Sequence, residues 1–285
     1  MLNFFVYKIG QFLALQFPLK VAYGLAVFIS DLRYLFAFAD RRAVTQNLQA
    51  IFPNKTKKEI AKIRLSLFRN FAKYLVDFFR FTILNKEYVQ KNIKIENLHY
   101  YQEELKKGNG VIALTAHLGN WELGGAVIGL SGYNFWAVVL PHKHKKVSDF
   151  FNAQRASKGV NVMNLGNAAR QCLGILKKNY VLALVGDRDF SKNGDTQMEF
   201  FGKPACLPSG AAVFSLKTQA PIIPGFMIRN PDDTFTLKIE KPIEFKATGD
   251  REKDIREIMK RYVEVIEKYV RQYPDQWYMF RRFWI

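Results

Sequence analysis

The chain alternates between two patterns of apolar residues. Short apolar runs, such as 111–114 and 180–185, have the length and the β-branched content of buried strands. Between such runs, apolar residues recur at three- and four-residue spacing, as they do from Ile60 to Phe78, and this spacing predicts helices with one buried face. The alternation of strands and helices predicts an α/β fold with a mixed, largely parallel central sheet flanked by helices.

Local signals divide the chain into predicted elements. Thr56-Lys-Lys-Glu59 has the pattern of a capping box, in which both side chains bond backbone N–H groups at the start of a helix. The predicted helices cover 41–52, 57–81, 100–107, 121–130, 147–158, 168–178, 209–218 and 254–272. The predicted strands cover 91–96, 111–114, 134–140, 160–165, 180–185 and 235–239, and a further strand ends at 228.

The N-terminal stretch is strongly apolar. The charged residues that interrupt it are Lys8, Lys20, Asp31 and Arg33. Its uncharged windows, 9–19 and 21–30, are each shorter than the roughly 20 apolar residues that a membrane-spanning helix needs. No small-residue cleavage site follows, so we expect no removable signal peptide. We predict that 1–40 form apolar helices that associate with a membrane surface and that 41–285 form a single α/β domain. A tilted, re-entrant or single spanning helix is the alternative.

The charge balance predicts an anionic partner. The chain has 43 Lys and Arg against 25 Asp and Glu, which gives a formal net charge of +18. The partner can be a nucleic acid, an anionic bilayer surface or an acidic protein. The 25 Phe favour the bilayer surface, because aromatic side chains anchor below lipid headgroups. No basic helix with spaced aromatic residues stands out, so we expect no nucleic-acid partner. Cys172 and Cys206 lack metal-ligand spacing, so we expect neither a bound metal nor a disulfide framework.

One histidine stands where a catalytic base is expected. His117 follows the predicted strand 111–114, and Glu122 comes shortly afterwards in the first turn of a predicted helix. A carboxylate beside an imidazole can fix its tautomer and stabilise the imidazolium that forms when the ring accepts a proton. The pair by itself also fits a purely structural role. A second polar turn, 186–189, follows the predicted strand 180–185. Because sites in α/β sheets lie beyond the carboxyl ends of the strands, we expect this turn at the same edge as His117.

The sequence motifs around His117 resemble those of a known family. His117-Leu-Gly-Asn-Trp-Glu122 is similar to the His-x4-Asp/Glu motif of glycerolipid acyltransferases. Within these, the chain resembles the bacterial late acyltransferases of lipid A synthesis and the related mycobacterial phosphatidylinositol mannoside acyltransferases. The matching motifs follow one another in the family's order from about residue 41 to 284. They are 117–122, Arg-x-x-x-Gly at 155–159, Gly-Asp-Arg-Asp at 186–189, Phe-Phe-Gly and Pro-x-Gly at 200–202 and 208–210, Ala-Pro-x-x-Pro at 220–224, and 274–283.

The resemblance implies an enzyme. It implies transfer of a fatty acyl group from a thioester, on acyl carrier protein or coenzyme A, to a hydroxyl of a membrane glycolipid. No cofactor is needed beyond the phosphopantetheine of that co-substrate. His117 would take the proton of the attacking hydroxyl, and Glu122 would orient His117 and stabilise its charged form. The enzyme would lie on the cytoplasmic face of the bacterial inner membrane, peripheral or singly anchored.

Further residues receive roles from the same resemblance. Arg155 is a candidate for binding a phosphate of the acceptor or the donor, since its guanidinium suits bidentate phosphate contacts; a solvated helix-face arginine is the alternative. Asp187, Arg188 and Asp189 would shape the site or hold the acceptor headgroup, unless they form only an ion-paired turn.

Backbone N–H groups are the expected source of oxyanion stabilisation. They would come from the segment of Gly119 and Asn120, or from Ser209 and Gly210 at the start of a helix. Arg188 stands where the family often has Gln or His, which keeps a phosphatidylinositol-type glycolipid or a lysophospholipid open as acceptor. The rival from another class is a non-catalytic basic protein that binds membranes or nucleic acid and does not need His117.

Overall fold

The computed structural model of the protein describes residues 2–164, 168–188 and 195–284. In this part of the chain the helices are α1 (Leu2–Gln16), α2 (Leu19–Phe36), α3 (Phe38–Ile51), α4 (Lys57–Phe79), α5 (Lys86–Asn92), α6 (His99–Leu105), α7 (Trp121–Leu130), α8 (Lys145–Ala156), α9 (Ala168–Lys177), α10 (Gly210–Thr218) and α11 (Arg251–Gln272). The strands are β1 (Ile93–Glu96), β2 (Val111–Thr115), β3 (Phe135–Val139), β4 (Val160–Asn164), β5 (Val181–Val185), β6 (Asp195–Phe200), β7 (Lys203–Pro208), β8 (Ile222–Arg229) and β9 (Phe235–Ile239).

Strands of the described chain form one large mixed sheet and one hairpin. The sheet has the order β1-β9-β8-β2-β5-β3-β4, and β6 pairs with β7 separately. All neighbours in the large sheet are parallel except β8 and β9, which are antiparallel. The predicted α/β class with a mixed, largely parallel sheet is therefore confirmed.

The register of β2 and β5 decides where the polar residues meet. Thr115 at the end of β2 pairs with Val185 at the end of β5. His117 and Asp187 each follow two positions later, so both leave the sheet side by side at its carboxyl edge.

Helices cover both faces of the sheet. On one face, the buried core includes Val76 and Phe78 of α4, Ala126 and Val127 of α7, and Phe150 of α8. On the other face, residues of α9, α10 and α11 pack with β2 and β5 around the buried ring of Trp277. Burial on both faces explains why β2 and β5 are uninterrupted apolar runs in the sequence.

Side-chain caps mark the starts of α4, α5, α7 and α11. Thr56 accepts a bond from the backbone of Glu59, and Glu59 accepts one from the backbone of Thr56, so the predicted capping box is confirmed. The strand predicted over 91–96 begins only at Ile93, because Asn85 caps the short helix α5 and this helix takes up 86–92.

The N-terminal helices pack on α4 with one face only. Ala14, Ala22 and Tyr23 are buried, whereas many large apolar side chains of this segment are exposed. The exposed ones are Phe5, Val6, Ile9, Phe12, Phe17, Val21, Phe28, Ile29, Leu32, Leu35, Phe36 and Phe38. We call these residues the N-terminal apolar surface.

By length and apolar composition, no single helix of the described chain reaches what a bilayer crossing requires. Helices α2 and α3 reach it only as a pair, and they are bent by 92° at their junction. The division predicted at residue 40 falls inside α3.

Candidate active site

His117 is held by a buried carboxylate. Its Nδ1 lies 2.7 Å from Oδ1 of Asp187, and its backbone N–H donates to Oδ2 of the same residue at 3.0 Å. The Asp187 side chain is fully buried, and the His117 side chain is 16% exposed. Burial opposes ionisation of Asp187, but His117 and the hydrogen bonds lower the pKa of Asp187 to about 2. The carboxylate is therefore ionised at neutral pH beside an imidazole that solvent can reach.

A tryptophan from the end of the chain completes this arrangement. The indole Nε1–H of Trp277 donates to Oδ2 of Asp187 at 2.9 Å, and the Trp277 ring is buried. With two bonds on Oδ2 and one on Oδ1, the carboxylate has one orientation toward His117. Trp277, Asp187 and His117 thus form a continuous hydrogen-bonded series.

The C-terminal segment, residues 273–284, also holds the backbone of the histidine loop, residues 116–120 between β2 and α7. The carbonyl of His117 accepts from the N–H of Tyr278 at 2.9 Å, and the carbonyl of Gln276 accepts from the N–H of Gly119 at 2.9 Å. Leu118 and Trp277 form an antiparallel bridge between these bonds. Gly119 has a φ of +64°, and a Cβ there would lie 2.0 Å from the carbonyl oxygen of Met227, so no larger residue fits this position.

Asn120 lies below the site and not in it. Its side chain is buried; Oδ1 accepts from the N–H of Leu123, which caps α7, and Nδ2 donates to Asp77 at 2.9 Å. Its backbone N–H donates to the carbonyl of Met227 at 2.8 Å. The polar groups of Asn120 are therefore used inside the fold, and its predicted contact with substrate stays a prediction. The N–H of Gly119 is bonded as well, so both of these backbone N–H groups, which were predicted as oxyanion donors, have acceptors within the protein.

Glu122 is paired with Arg155 and not with Nδ1 of His117. Nε and Nη2 of Arg155 donate to the two carboxylate oxygens of Glu122 at 2.9 and 2.6 Å. Both side chains are nearly buried. The carboxylate that was predicted to orient His117 is thus engaged elsewhere, and Asp187 takes that position. Arg155 also donates to Asn152 at 3.0 Å, so the guanidinium predicted for phosphate is occupied by protein groups.

Helix geometry explains this exchange of partners. Helix α7 begins at Trp121, and successive residues of a helix point about 100° apart. The ring of Trp121 lies against His117, with centroids 5.0 Å apart. Glu122 consequently turns away from His117 and toward α8, which carries Arg155.

The remaining predicted site residues are Arg188, Asp189, Ser209 and Gly210. Arg188 donates to the backbone carbonyl of Tyr278. Asp189 lies outside the described residues. Ser209 and Gly210 are partly exposed at the start of α10. Within the described ranges, no hydrogen bond joins them to His117 or Asp187.

An apolar cavity of about 110 Å³ lies beside Trp121, Glu122 and Arg155. It lies between α7 and the strands of the sheet, and most of its lining is small or apolar. The lining includes Ala113, Leu114, Trp121, Gly124, Gly125, Ile128, Phe135, Ala137, Ala183, Leu184, Gly225 and Met227. Glu122 and Arg155 line the same cavity, so it combines an apolar wall with one paired charge cluster.

The sequence predictions assigned no role to Trp277, Gln276 or Tyr278. The motif at 274–283 resembles the end of the family pattern, and it is the signal that the sequence offers for these three residues. The side chains of Gln276 and Trp277 carry no titratable group, so the motif alone did not indicate that they lie beside His117 and Asp187.

Comparisons with known proteins give the chain a family. The family model described as bacterial lipid A biosynthesis acyltransferase matches residues 1–285. A phosphatidylinositol mannoside acyltransferase of Mycolicibacterium smegmatis is 23% identical over 98% of this chain and 90% of its own length. A lipid A biosynthesis palmitoleoyltransferase of Escherichia coli K12 is 24% identical over 94% of this chain and 86% of its own length.

A third relative is a lipid A biosynthesis acyltransferase of Haemophilus influenzae. It is 23% identical over 84% of this chain and 76% of its own length. The family model spans the same residues that form the sheet, the histidine loop and the C-terminal segment. The chain therefore belongs to the bacterial lipid A biosynthesis acyltransferase family.

Proposed function

We propose that this acyltransferase moves a fatty acyl group from a thioester, carried on acyl carrier protein or coenzyme A, to a hydroxyl of a membrane glycolipid. His117 is the general base. The observation that supports this role is the 2.7 Å contact between its Nδ1 and the buried carboxylate of Asp187.

The contact defines the chemistry of the ring. A carboxylate on Nδ1 favours the tautomer with the proton on Nδ1, which leaves the lone pair on Nε2. Nε2 takes the proton of the acceptor hydroxyl while the hydroxyl oxygen attacks the thioester carbonyl. The tetrahedral intermediate then expels the thiolate, which takes up the proton from Nε2. Ionised Asp187 stabilises the imidazolium between these two steps.

The ion pair of Glu122 and Arg155 shapes the acyl site. It joins α7 to α8, and both residues line the apolar cavity. A fatty chain in this cavity would lie beside the sheet, with its thioester toward the carboxyl edge where His117 lies. Arg188 and Asp189 remain the proposed contacts of the acceptor headgroup.

Ser209 and Gly210 are the proposed oxyanion donors. The short connection between α10 and β8 turns the chain back, so α10 begins toward the edge where β8 ends. A helix start directed at this edge presents backbone N–H groups to developing negative charge.

The N-terminal apolar surface binds the membrane in this proposal. Phe36 is 77% and Phe38 is 69% exposed, and the other members of the surface lie in α1, in α2 and in the turn between them. Large exposed apolar patches are uncommon on soluble monomers and mark sites of contact with proteins or membranes. The net charge of +18 adds attraction to anionic lipid and to an acidic carrier protein. We place the protein on the cytoplasmic face of the inner membrane.

The relatives support a glycolipid acceptor. Their names specify lipid A biosynthesis in one group and phosphatidylinositol mannoside in the other. A lysophospholipid acceptor is the alternative within the class. A non-catalytic basic binder is the alternative outside it.

Acyl transfer by the purified protein in detergent tests the proposal. Thioesters of acyl carrier protein and coenzyme A serve as donors, and lipid A precursors, phosphatidylinositol mannosides and lysophospholipids serve as acceptors. We expect product with the parent and a loss of about 100-fold or more in folded His117→Ala. His99→Ala is the matched control, because His99 is exposed on α6. Equal rates in parent and folded His117→Ala contradict the mechanism.

A further inference from the structure

A buried polar cluster bonds the histidine loop through the side chain of Asn120. Asp77 of α4 accepts hydrogen bonds from the hydroxyl of Tyr23, from Nδ2 of Asn120 and from Nη2 of Arg229. Arg229 also donates to the hydroxyl of Tyr23 at 3.1 Å. All of these side chains are buried. We call Tyr23, Asp77, Asn120 and Arg229 the loop-anchoring cluster.

Within the loop-anchoring cluster, the buried carboxylate of Asp77 has one cation and two further donors as partners. A buried carboxylate is tolerated when a cation and further donors surround it, and here the donors come from three separate elements. Tyr23 belongs to α2, Asn120 precedes α7, and Arg229 ends β8. Such a network fixes the relative positions of the elements that contribute to it.

Its connection to the catalytic loop passes through Asn120. The same side chain that donates to Asp77 caps α7 through Oδ1. Gly119 and Asn120 are bonded on both sides, to Gln276 and to Met227. The side chain of Gln276 in turn bonds the N–H and the carbonyl of Arg229, at 3.0 and 2.9 Å. A displacement of Asp77 or Arg229 would consequently move the loop that carries His117.

Its connection to the N-terminal helices passes through Tyr23. The buried residues of α2 are Ala22 and Tyr23, whereas Val21 and Phe28 of the same helix are exposed. The hydroxyl of Tyr23 reaches Asp77 only while α2 is seated on α4.

We propose that Asp77 and Arg229 are positioning residues for the His117 loop, and that Tyr23 makes the geometry of this loop depend on the seating of α2. The inference rests on the proposed function for its effect on rate, but the geometric coupling stands apart from it. A helix with an exposed apolar face is thereby linked, through one phenol and one carboxylate, to the catalytic base.

The chain contains a matched control for Tyr23. Tyr34 lies on the same helix, and its hydroxyl accepts from Nε of Arg64 on α4 at 2.8 Å. Tyr23→Phe and Tyr34→Phe each remove one hydroxyl that joins α2 to α4. Only the first of these hydroxyls belongs to the network that reaches Asn120.

The first readout is the ¹⁵N-histidine spectrum of His117, assigned by comparison with His117→Ala. We expect the His117 signals to move in Tyr23→Phe and to stay in place in Tyr34→Phe. In the acyl-transfer assay, kcat should fall about 3- to 10-fold in Tyr23→Phe, as for the loss of one hydrogen bond, while KM for the thioester stays within twofold.

Asn120→Ser provides an independent second variant. Serine retains the ability to cap a helix but has no amide donor for Asp77. We expect the same direction of change as in Tyr23→Phe, and a double variant little worse than either single one, because both interrupt the same path.

Two outcomes decide against the inference. His117 signals that are identical in Tyr23→Phe and Tyr34→Phe overturn it, and so do fully additive effects of Tyr23→Phe and Asn120→Ser. A parent without acyl transfer contradicts the proposed function instead, and the histidine spectra still decide the coupling.

Discussion

Asp187 bonds Nδ1 of His117 at 2.7 Å across 70 residues of sequence. Glu122, which is much nearer in the sequence, is paired with Arg155 instead. In the proposed mechanism, the charge that stabilises the base therefore comes from a residue two positions after β5, the strand next to β2, and the nearer carboxylate of the His-x4-Glu motif has Arg155 as its partner. The two carboxylates should differ in what their removal does.

Removal of Asp187 should change the acid dependence of stability. The pKa of Asp187 lies at about 2 in the folded protein against 3.8 ordinarily. A lowered pKa means that the carboxylate stabilises the fold at pH above the ordinary value and that this contribution is lost as pH falls from about 4 through about 2. The free energy of unfolding, measured with denaturant from pH 7 to 2, should fall less with acid in Asp187→Asn than in the parent, because the variant has no carboxylate to protonate. Parallel curves for parent and variant would contradict the assignment.

Loss of the indole donor should weaken the base without removing it. Trp277→Phe eliminates the bond to Asp187, and bonds to charged groups are worth about 1.5–3 kcal/mol, so we expect kcat to fall roughly 10-fold or more. The pKa of Asp187 should rise, so the stability that its ionised carboxylate contributes should be lost at a higher pH than in the parent. Trp284→Phe is the control, because its indole donates to the carbonyl of Phe200. Equal effects of the two variants would indicate that only ring packing matters.

Removal of Glu122 should primarily destabilise the fold. Glu122→Ala leaves the guanidinium of Arg155 nearly buried and unpaired, a situation that costs about 3–5 kcal/mol. Denaturant unfolding should be measured for Glu122→Gln, Arg155→Gln and the double variant. The double variant should lose much less unfolding free energy than the sum of the two single losses. Asp149→Asn, which breaks the exposed pair with Lys145, should change stability by less than about 0.5 kcal/mol.

A larger residue in the cavity should shorten the preferred acyl chain. Ala183 lines the cavity from β5, and leucine at this position would fill part of its roughly 110 Å³. Competition among thioesters of different length should show a shift toward shorter chains in Ala183→Leu. The control, Ala156→Leu, adds the same side chain at an exposed position of α8. An unchanged chain-length profile would place the acyl group elsewhere.

Charge in the N-terminal apolar surface should reduce membrane binding. Phe28→Glu and Phe36→Glu put carboxylates on exposed positions of α2, and we expect at least a 10-fold weaker association with vesicles containing anionic lipid. Gln272→Glu adds the same charge at an exposed position of α11 and should change binding little. Sedimentation with vesicles measures both. Similar losses in all three variants would attribute binding to net charge alone.

The fold was largely predictable because its signals are local. The apolar runs of β2 and β5, the capping box at Thr56 and the cap of α7 each depend on neighbouring residues. The boundary of β1 was missed because the seven-residue helix α5 gives too little periodicity to separate it from a strand.

The partner of the base was not predictable in the same way. Strand order places β5 next to β2, and only this order brings Asp187 to His117. The direction of Glu122 depends on the residue at which α7 begins, and a shift of one residue would rotate it by about 100°. The contribution of Trp277 depends on the path of a segment that has only one turn of 3-10 helix and one isolated bridge, which is too short to give a periodic pattern.

The path of the C-terminal segment also orders events during synthesis. Gln276, Trp277 and Tyr278 bond the histidine loop and Asp187, and they leave the ribosome after every other residue that forms these contacts. A nascent chain can form the sheet and bury much of its apolar surface before these residues emerge. The contacts that orient His117 are therefore completed last, and an incomplete polypeptide that lacks these residues lacks the orientation that the proposed base needs.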